Sequence, residues 1–233
     1  MSDTLRMALI STLLILPPAA VRAEEPLEAE IDLFNPAAGS SRIVTWTAFH
    51  EDPDVKTEDV WLIRDGVVLS KGNPQGYLRT EQDFTNFVLK LEWRRPADKK
   101  PGRGGVLVRI TGPDKIWPKS LEAQLNADAA GDFWGLGGYQ LTGPEERTTS
   151  VEHPQLGKLT NVKKAKDAEK PPGQWNQYEI IADGDVVTLV INGQEVNRAT
   201  GCDVVPGKIC LTAEGDEIHF RNVRLAPLAK GQN

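Results

Sequence analysis

Histidine, cysteine and methionine are scarce in this chain of 233 residues, which has three His, two Cys and two Met. So few imidazole and thiolate donors exclude a Cys/His metal cage: any divalent metal rests mainly on carboxylates and a single His, or is absent. There is no long basic run. With 33 acidic residues against 27 basic ones and a net charge of −6, nucleic acid is excluded as the main partner. A composition of 39% hydrophobic and 26% charged residues fits neither a membrane protein nor a disordered acidic tail. A long amphipathic helix is also missing, and 21 Gly and 16 Pro favour strands and turns over a helical bundle.

The one long apolar stretch, Met7 to Ala20, is too short to span a membrane comfortably. Arg6 precedes it, and Val21-Arg22-Ala23 follows with small or apolar residues where a signal peptidase reads. This pattern predicts an export signal, residues 1–23, cut before Glu24, and one folded domain, residues 24–233, without a membrane span. Export places the protein in the periplasm or outside the cell. Both methionines leave with the leader, and the net charge moves from −6 to −7. In that oxidising setting a Cys202–Cys210 disulfide is one of two open alternatives, the other being two free thiols.

Strand signals dominate the rest. Phe87, Leu89, Leu91 and Trp93 alternate with Val88, Lys90, Glu92 and Arg94, a period of two. Val106, Val108 and Ile110 oppose Leu107, Arg109 and Thr111, and Leu121, Ala123 and Leu125 oppose Glu122, Gln124 and Asn126. Asp183-Gly184 and Asn192-Gly193 suit tight hairpin turns and divide Trp175–Ala199 into three antiparallel strands. Many short strands between turns predict an all-β protein, a β-sandwich or jelly roll. Gly131–Gly173 shows few strand signals and reads as a long rim or lid.

Four stretches, in order, resemble the 3-keto-disaccharide hydrolase family: Phe84–Arg94; Gly104–Arg109 followed by Glu122-Ala123-Gln124; Gly173–Asn176 leading to Val190–Gly193; and Gly207–Leu211, Glu214-Gly215 and Phe220–Val223. The resemblance extends over roughly Leu33 to Leu228, nearly the whole of the expected mature chain. The resemblance implies a concanavalin-like jelly roll of two antiparallel sheets and cleavage of glycosides oxidised at C3 of the sugar. It implies a carbohydrate partner, and leaves open the aglycone, the anomer, the metal requirement, the oligomeric state and the choice between base-assisted elimination with hydration and direct hydrolysis. Arg103-Gly104 and Thr212 depart from the family's pattern, which carries Asn-Ser before the glycine and Gln at the second place.

A 3-keto group acidifies the proton at C2, so cleavage needs one good base and one oxyanion stabiliser rather than the paired carboxylates of ordinary glycosidases. Glu122 is the leading catalytic candidate, because alternation aims it, with Gln124, away from the apolar row of its own strand. Glu214, in a turn before the last strand, is the second. Arg109, Trp134, Tyr139, Lys163 and His219 complete the candidate substrate-binding set, as cations, stacking faces and a hydrogen-bonding imidazole. Trp93 and Trp175 read as core residues. A non-catalytic carbohydrate-binding module of a surface or periplasmic sugar-use system stays open as the alternative, since the fold would be the same. A structural domain of a cell-surface assembly is a third. A nucleophilic serine hydrolase is disfavoured, as no G-x-S-x-G occurs.

Overall fold

A computed structural model describes residues 30–35, 44–99 and 102–228; the leader and part of the 96–104 turn lie outside the described residues. Two eight-stranded antiparallel sheets pack face to face. The back sheet runs β14 (Gln194–Ala199), β13 (Val186–Ile191), β12 (Asn176–Asp183), β6 (Phe87–Arg94), β16 (Ile218–Pro227), β4 (Val67–Ser70) and β3 (Trp61–Arg64), with β1 (Ile31–Asp32) also beside β16. The front sheet runs β10 (Thr148–His153), β11 (Gly157–Val162), β9 (Phe133–Leu136), β8 (Lys119–Gln124), β7 (Gly105–Thr111), β15 (Lys208–Ala213), β5 (Gly76–Thr80) and β2 (Trp46–His50). This is the jelly-roll sandwich expected from the sequence.

The alternation does what it promised in β6 and β8. Phe87, Leu89, Leu91 and Trp93 meet Leu121, Ala123 and Leu125 in one buried cluster between the sheets. Burying an aliphatic side chain of this size contributes about 1.5–3 kcal/mol. Asn192 and Gly193 both take left-handed φ angles, 51° and 77°, closing the β13–β14 hairpin as its sequence required. The preceding hairpin turns on Gly184 and Asp185, one residue later than expected, because Asp183 still pairs with Val186.

Three expectations are corrected. First, Gly131–Gly173 is not a structureless lid: it supplies β9, β10 and β11 to the edge of the front sheet. Its edge strand β10 is exposed or only part-buried along its length, so no apolar period marks it. Second, Cys202 and Cys210 are both free. Cys202 sits in the core between the sheets and Cys210 on the far face of the front sheet, so a layer of sheet separates them. Third, Trp175 is not a core residue. It is half-buried under the guanidinium groups of Arg94 and Arg221, 4.6 and 4.1 Å from its ring.

A bulge decides the front sheet's geometry. Register breaks between Val108 and Thr111 against β8 and between Lys208 and Cys210 against β15. At that point Arg109 takes a φ of 53°. An inserted residue reverses the alternation beyond it. Ile110 therefore joins the cluster on the outer face, while Arg109 turns inward and is fully buried. Its guanidinium donates to the carbonyls of Thr85, Asp203 and Gly184, to Asn86 Oδ1 and to the Tyr139 hydroxyl. One buried cation thus ties together four connections at one end of the sandwich. Removing it leaves several buried carbonyls unpaired, so Arg109→Met is expected to cost about 3–5 kcal/mol in urea unfolding. A loss below about 1 kcal/mol would contradict this role. Both cysteines are expected to titrate as thiols in denaturant without reductant; a chain with no free thiol after unfolding would refute the separation of Cys202 from Cys210.

Candidate active site

The outer face of the front sheet carries a second apolar cluster: Tyr77, Leu107, Ile110, Leu136 and Cys210, packed by Phe49, Trp117, Trp134 and Leu159. The central strands are consequently buried on both faces. Polar groups set among these residues lie nearly out of water.

Glu122 is the central one. It stands opposite Leu107 on one side and Trp134 on the other, all on the outer face. Its carboxyl reaches over Gly105, where a Cβ would lie only 2.7 Å from Oε1; the glycine makes the room. Glu214 approaches from the turn after β15. Three hydrogen bonds from two segments fix that turn. The Gly215 N–H donates to Gly72 O at 2.6 Å, Asn73 Nδ2 to Gly215 O at 2.8 Å, and the Arg103 N–H to Asp216 Oδ2 at 3.0 Å. Between the two glutamates, Thr212 Oγ1 accepts from the Gly105 N–H at 2.6 Å and faces Gly105 O at 3.1 Å.

Both carboxyls are almost fully buried, with 4% and 5% of their residues' surface exposed. Glu122 Oε1 and Glu214 Oε1 find no hydrogen-bond partner among the described residues. Burial, then the charges of Glu214 and Asp132, push the Glu122 carboxyl well above the ordinary range. Burial raises Glu214 to about 7, opposed by the Thr212 hydroxyl and the Arg103 guanidinium. Near neutrality the pair holds a proton that neither glutamate would keep in water. One group is then poised to take a proton and its neighbour to give one.

The other candidate residues divide. Gln124 is buried two residues along from Glu122 on the same face, and Trp134 lies half-buried on the neighbouring strand. Four do not join them. Arg109 is the buried clasp described above, turned away by its bulge. Tyr139 is a core residue whose hydroxyl donates to Asp203 O at 2.9 Å. Lys163 is exposed past the end of β11, two strands from β8. His219 lies on β16 of the back sheet, between Arg94 Nε at 3.2 Å and Glu217 Oε1 at 2.8 Å.

Two residues enter that the candidate set lacked. Asp132, buried, accepts the Lys164 N–H at 2.9 Å and sets its charge against Glu122. Arg103, exposed at the rim, brings Nη2 to 3.7 Å from where a Cβ on Gly215 would stand, and its charge acts on Glu214. The signal for Arg103 was its departure from the family pattern, as it was for Thr212. Among the described residues no group of three or more His, Cys, Asp or Glu is arranged to hold a metal ion.

Comparison with known proteins agrees with this architecture. The family model described as a 3-keto-alpha-glucoside-1,2-lyase-like domain matches residues 30–226. No curated protein matches the chain. Among solved structures, a candidate glycosyl hydrolase of Parabacteroides distasonis is 22% identical, covers 79% of this chain and 88% of its own, and has a TM-score of 0.55. A carbohydrate-binding module of Bacillus subtilis is 13% identical, with coverage of 77% and 94% and a TM-score of 0.54. A β-glucanase of Bacillus licheniformis is also 13% identical, with coverage of 86% and 98% and a TM-score of 0.53. At these identities the likeness is one of fold.

Titration of Glu214 has a thermodynamic signature. Folded, it keeps its proton to about pH 7; its ordinary value is 4.5. Between those values the unfolded chain binds fewer protons, so stability is greatest below the window and falls as pH rises through it. The full penalty above the window is on the order of 3 kcal/mol. Glu214→Gln, neutral at every pH, is expected to lose this part of the pH dependence in thermal unfolding between about pH 4.5 and 7.5. Parallel curves for the two proteins would contradict the shift.

Proposed function

The chain belongs to the 3-keto-alpha-glucoside-1,2-lyase-like family, and from that premise we propose that it cleaves glycosides whose sugar carries a ketone at C3. The observation that carries the proposal is the pair of buried carboxyls with raised proton affinity and unpartnered oxygens. Glu214, ionised in part at neutral pH, removes the acidified proton at C2. The electron pair forms the C1–C2 double bond, and the C1–O bond breaks with its electrons leaving on the aglycone oxygen. Glu122, held protonated, supplies the proton that the departing oxygen takes up. Charge that develops on the C3 oxygen meets the Arg103 guanidinium at the rim. Water then adds across the double bond, with its proton going to C2 and its hydroxyl to C1. The sum is hydrolysis to the 3-keto sugar and the free aglycone.

Arg103 takes the place in this scheme that the sequence had offered to Arg109 and Lys163. Gln124 and Trp134 supply a hydrogen-bonding group and an aromatic face for the sugar. Export belongs to the same proposal: the leader ending at Ala23 would deliver the enzyme to the periplasm or the medium, where oxidised glycosides are met before uptake.

The decisive assay incubates the protein, with and without chelator, with 3-keto-trehalose or a 3-keto-glucoside. The expected products are 3-keto-glucose or its unsaturated precursor. Glu122→Gln and Glu214→Gln are each expected to lower kcat by about 10²–10⁴-fold while calorimetric sugar binding persists. Unchanged turnover in both variants would overturn the assignment. Binding without turnover in the unmodified protein would favour the non-catalytic reading, the function printed for the B. subtilis module of the same fold.

A further inference from the structure

The connection from β7 to β8, residues 112–118, folds back over the outer face of the front sheet as a strap. Its middle is fastened to β5. Asp114 accepts from Arg79 through Nε at 2.9 Å and Nη2 at 3.0 Å, and from the Tyr77 hydroxyl at 2.8 Å. Farther along, Trp117 holds a φ of 58°, a left-handed conformation that a bulky aromatic residue rarely adopts without a compensating contact. The contact is the outer apolar cluster, onto which the indole packs.

Between strap and sheet lies a slot lined by Tyr77, Leu107, Ile116, Trp117 and the chain around Gly76 and Ala213. It adjoins the carboxyl pair, since Leu107 is the register partner of Glu122 and Glu214 directly follows Ala213. Its chemistry differs from that of a sugar site. The Tyr77 hydroxyl is engaged by Asp114, and the Thr212 hydroxyl beside it by Gly105. Leu107, Ile116 and Ala213 have no polar side-chain group, and Gln75 stands exposed at the mouth. A second sugar ring would bring several hydroxyls into a space with few partners for them, each unpaired group costing affinity. A planar apolar ring could stack against Trp117 and Tyr77 instead.

We propose that this slot is the aglycone subsite and that it selects an aromatic leaving group, making 3-keto aryl glycosides the preferred substrates over 3-keto-disaccharides. The inference rests on the cleavage reading above and specifies its substrate. In the elimination step an aryl oxide carries off the C1–O electron pair, and it needs less help from a proton donor than a sugar alkoxide does. As folded, the slot has room for about one water molecule; admitting the ring therefore requires the strap to lift, against the Asp114 contacts that fasten it.

The test compares 4-nitrophenyl and methyl 3-keto-glucosides, both anomers of each, on the unmodified protein and on Ile116→Asn. Ile116 is half-buried in the strap, and the substitution puts a polar group into the slot. It is expected to lower kcat/KM for the aryl substrate by about tenfold, chiefly through KM, and to leave the methyl substrate within about twofold. Equal effects on both substrates, or none on either, would overturn the subsite. A second readout needs no turnover. Free 4-nitrophenol is expected to quench tryptophan fluorescence saturably in the unmodified protein and in Gln124→Ala, but not in Ile116→Asn or Trp117→Leu. Absence of saturable quenching refutes the slot even if cleavage is observed. Quenching without cleavage of any 3-keto-glycoside supports the slot and refutes the cleavage reading.

Discussion

The central front strands, β7, β8 and β15, are buried on both faces, and most of the protein's chemistry follows from that constraint. A sandwich sheet ordinarily turns one face to water, where a carboxylate is cheap and unremarkable. Here the outer face carries its own apolar cluster, so Glu122 and Glu214 are held where ionisation is costly. The same strands that make the pair expensive also fix it. Gly105 clears the space, Thr212 bridges the strands, and the 214–216 turn is tied to Gly72, Asn73 and Arg103. A buried, incompletely partnered acidic pair is a poor investment for stability alone, which is why it reads as a site.

The Arg109 bulge is the second structural decision. Without it Arg109 would point outward with Leu107, adding a cation and removing Ile110 from the outer cluster. The inserted residue sends the guanidinium inward, where three backbone carbonyls satisfy it, and lets the outer face stay apolar next to the carboxyls. The cation that acts on Glu214 comes instead from Arg103, at the rim, where it can meet a ligand. The strap that begins just past the bulge covers the apolar end of this face, so the same local irregularity shapes both the charge and the depth of the site.

Much of the fold was legible in the sequence because its cause is local. Alternation in β6 and β8 and the Asn192-Gly193 turn are pleat and turn chemistry written in a few residues. The direction of Glu122 followed from the same pleat. What escaped was non-local or irregular. Nothing in the Val106–Thr111 run announces a bulge, so Arg109 was placed one face out. The polar strand β10 has no buried face to impose a period. Tyr139 and His219 carry suitable chemistry, but only topology could reveal that one is tied into the core and the other stands on the opposite sheet. The approach of Glu214 to Glu122 depends on β15 pairing with β7, which residue spacing does not disclose. Arg103 and Thr212 were visible only as departures from a family pattern, and both lie beside Glu214.

The central claim is that a carboxylate of this pair removes the C2 proton before the glycosidic bond breaks. Its most direct measurement uses a 3-keto-glycoside deuterated at C2, cleaved in ordinary water, with the label followed by mass spectrometry of the released 3-keto sugar. If the account holds, the deuterium is lost from the product in step with cleavage, and its rate carries a primary isotope effect. Release of a 3-keto sugar that retains its C2 deuterium would contradict it.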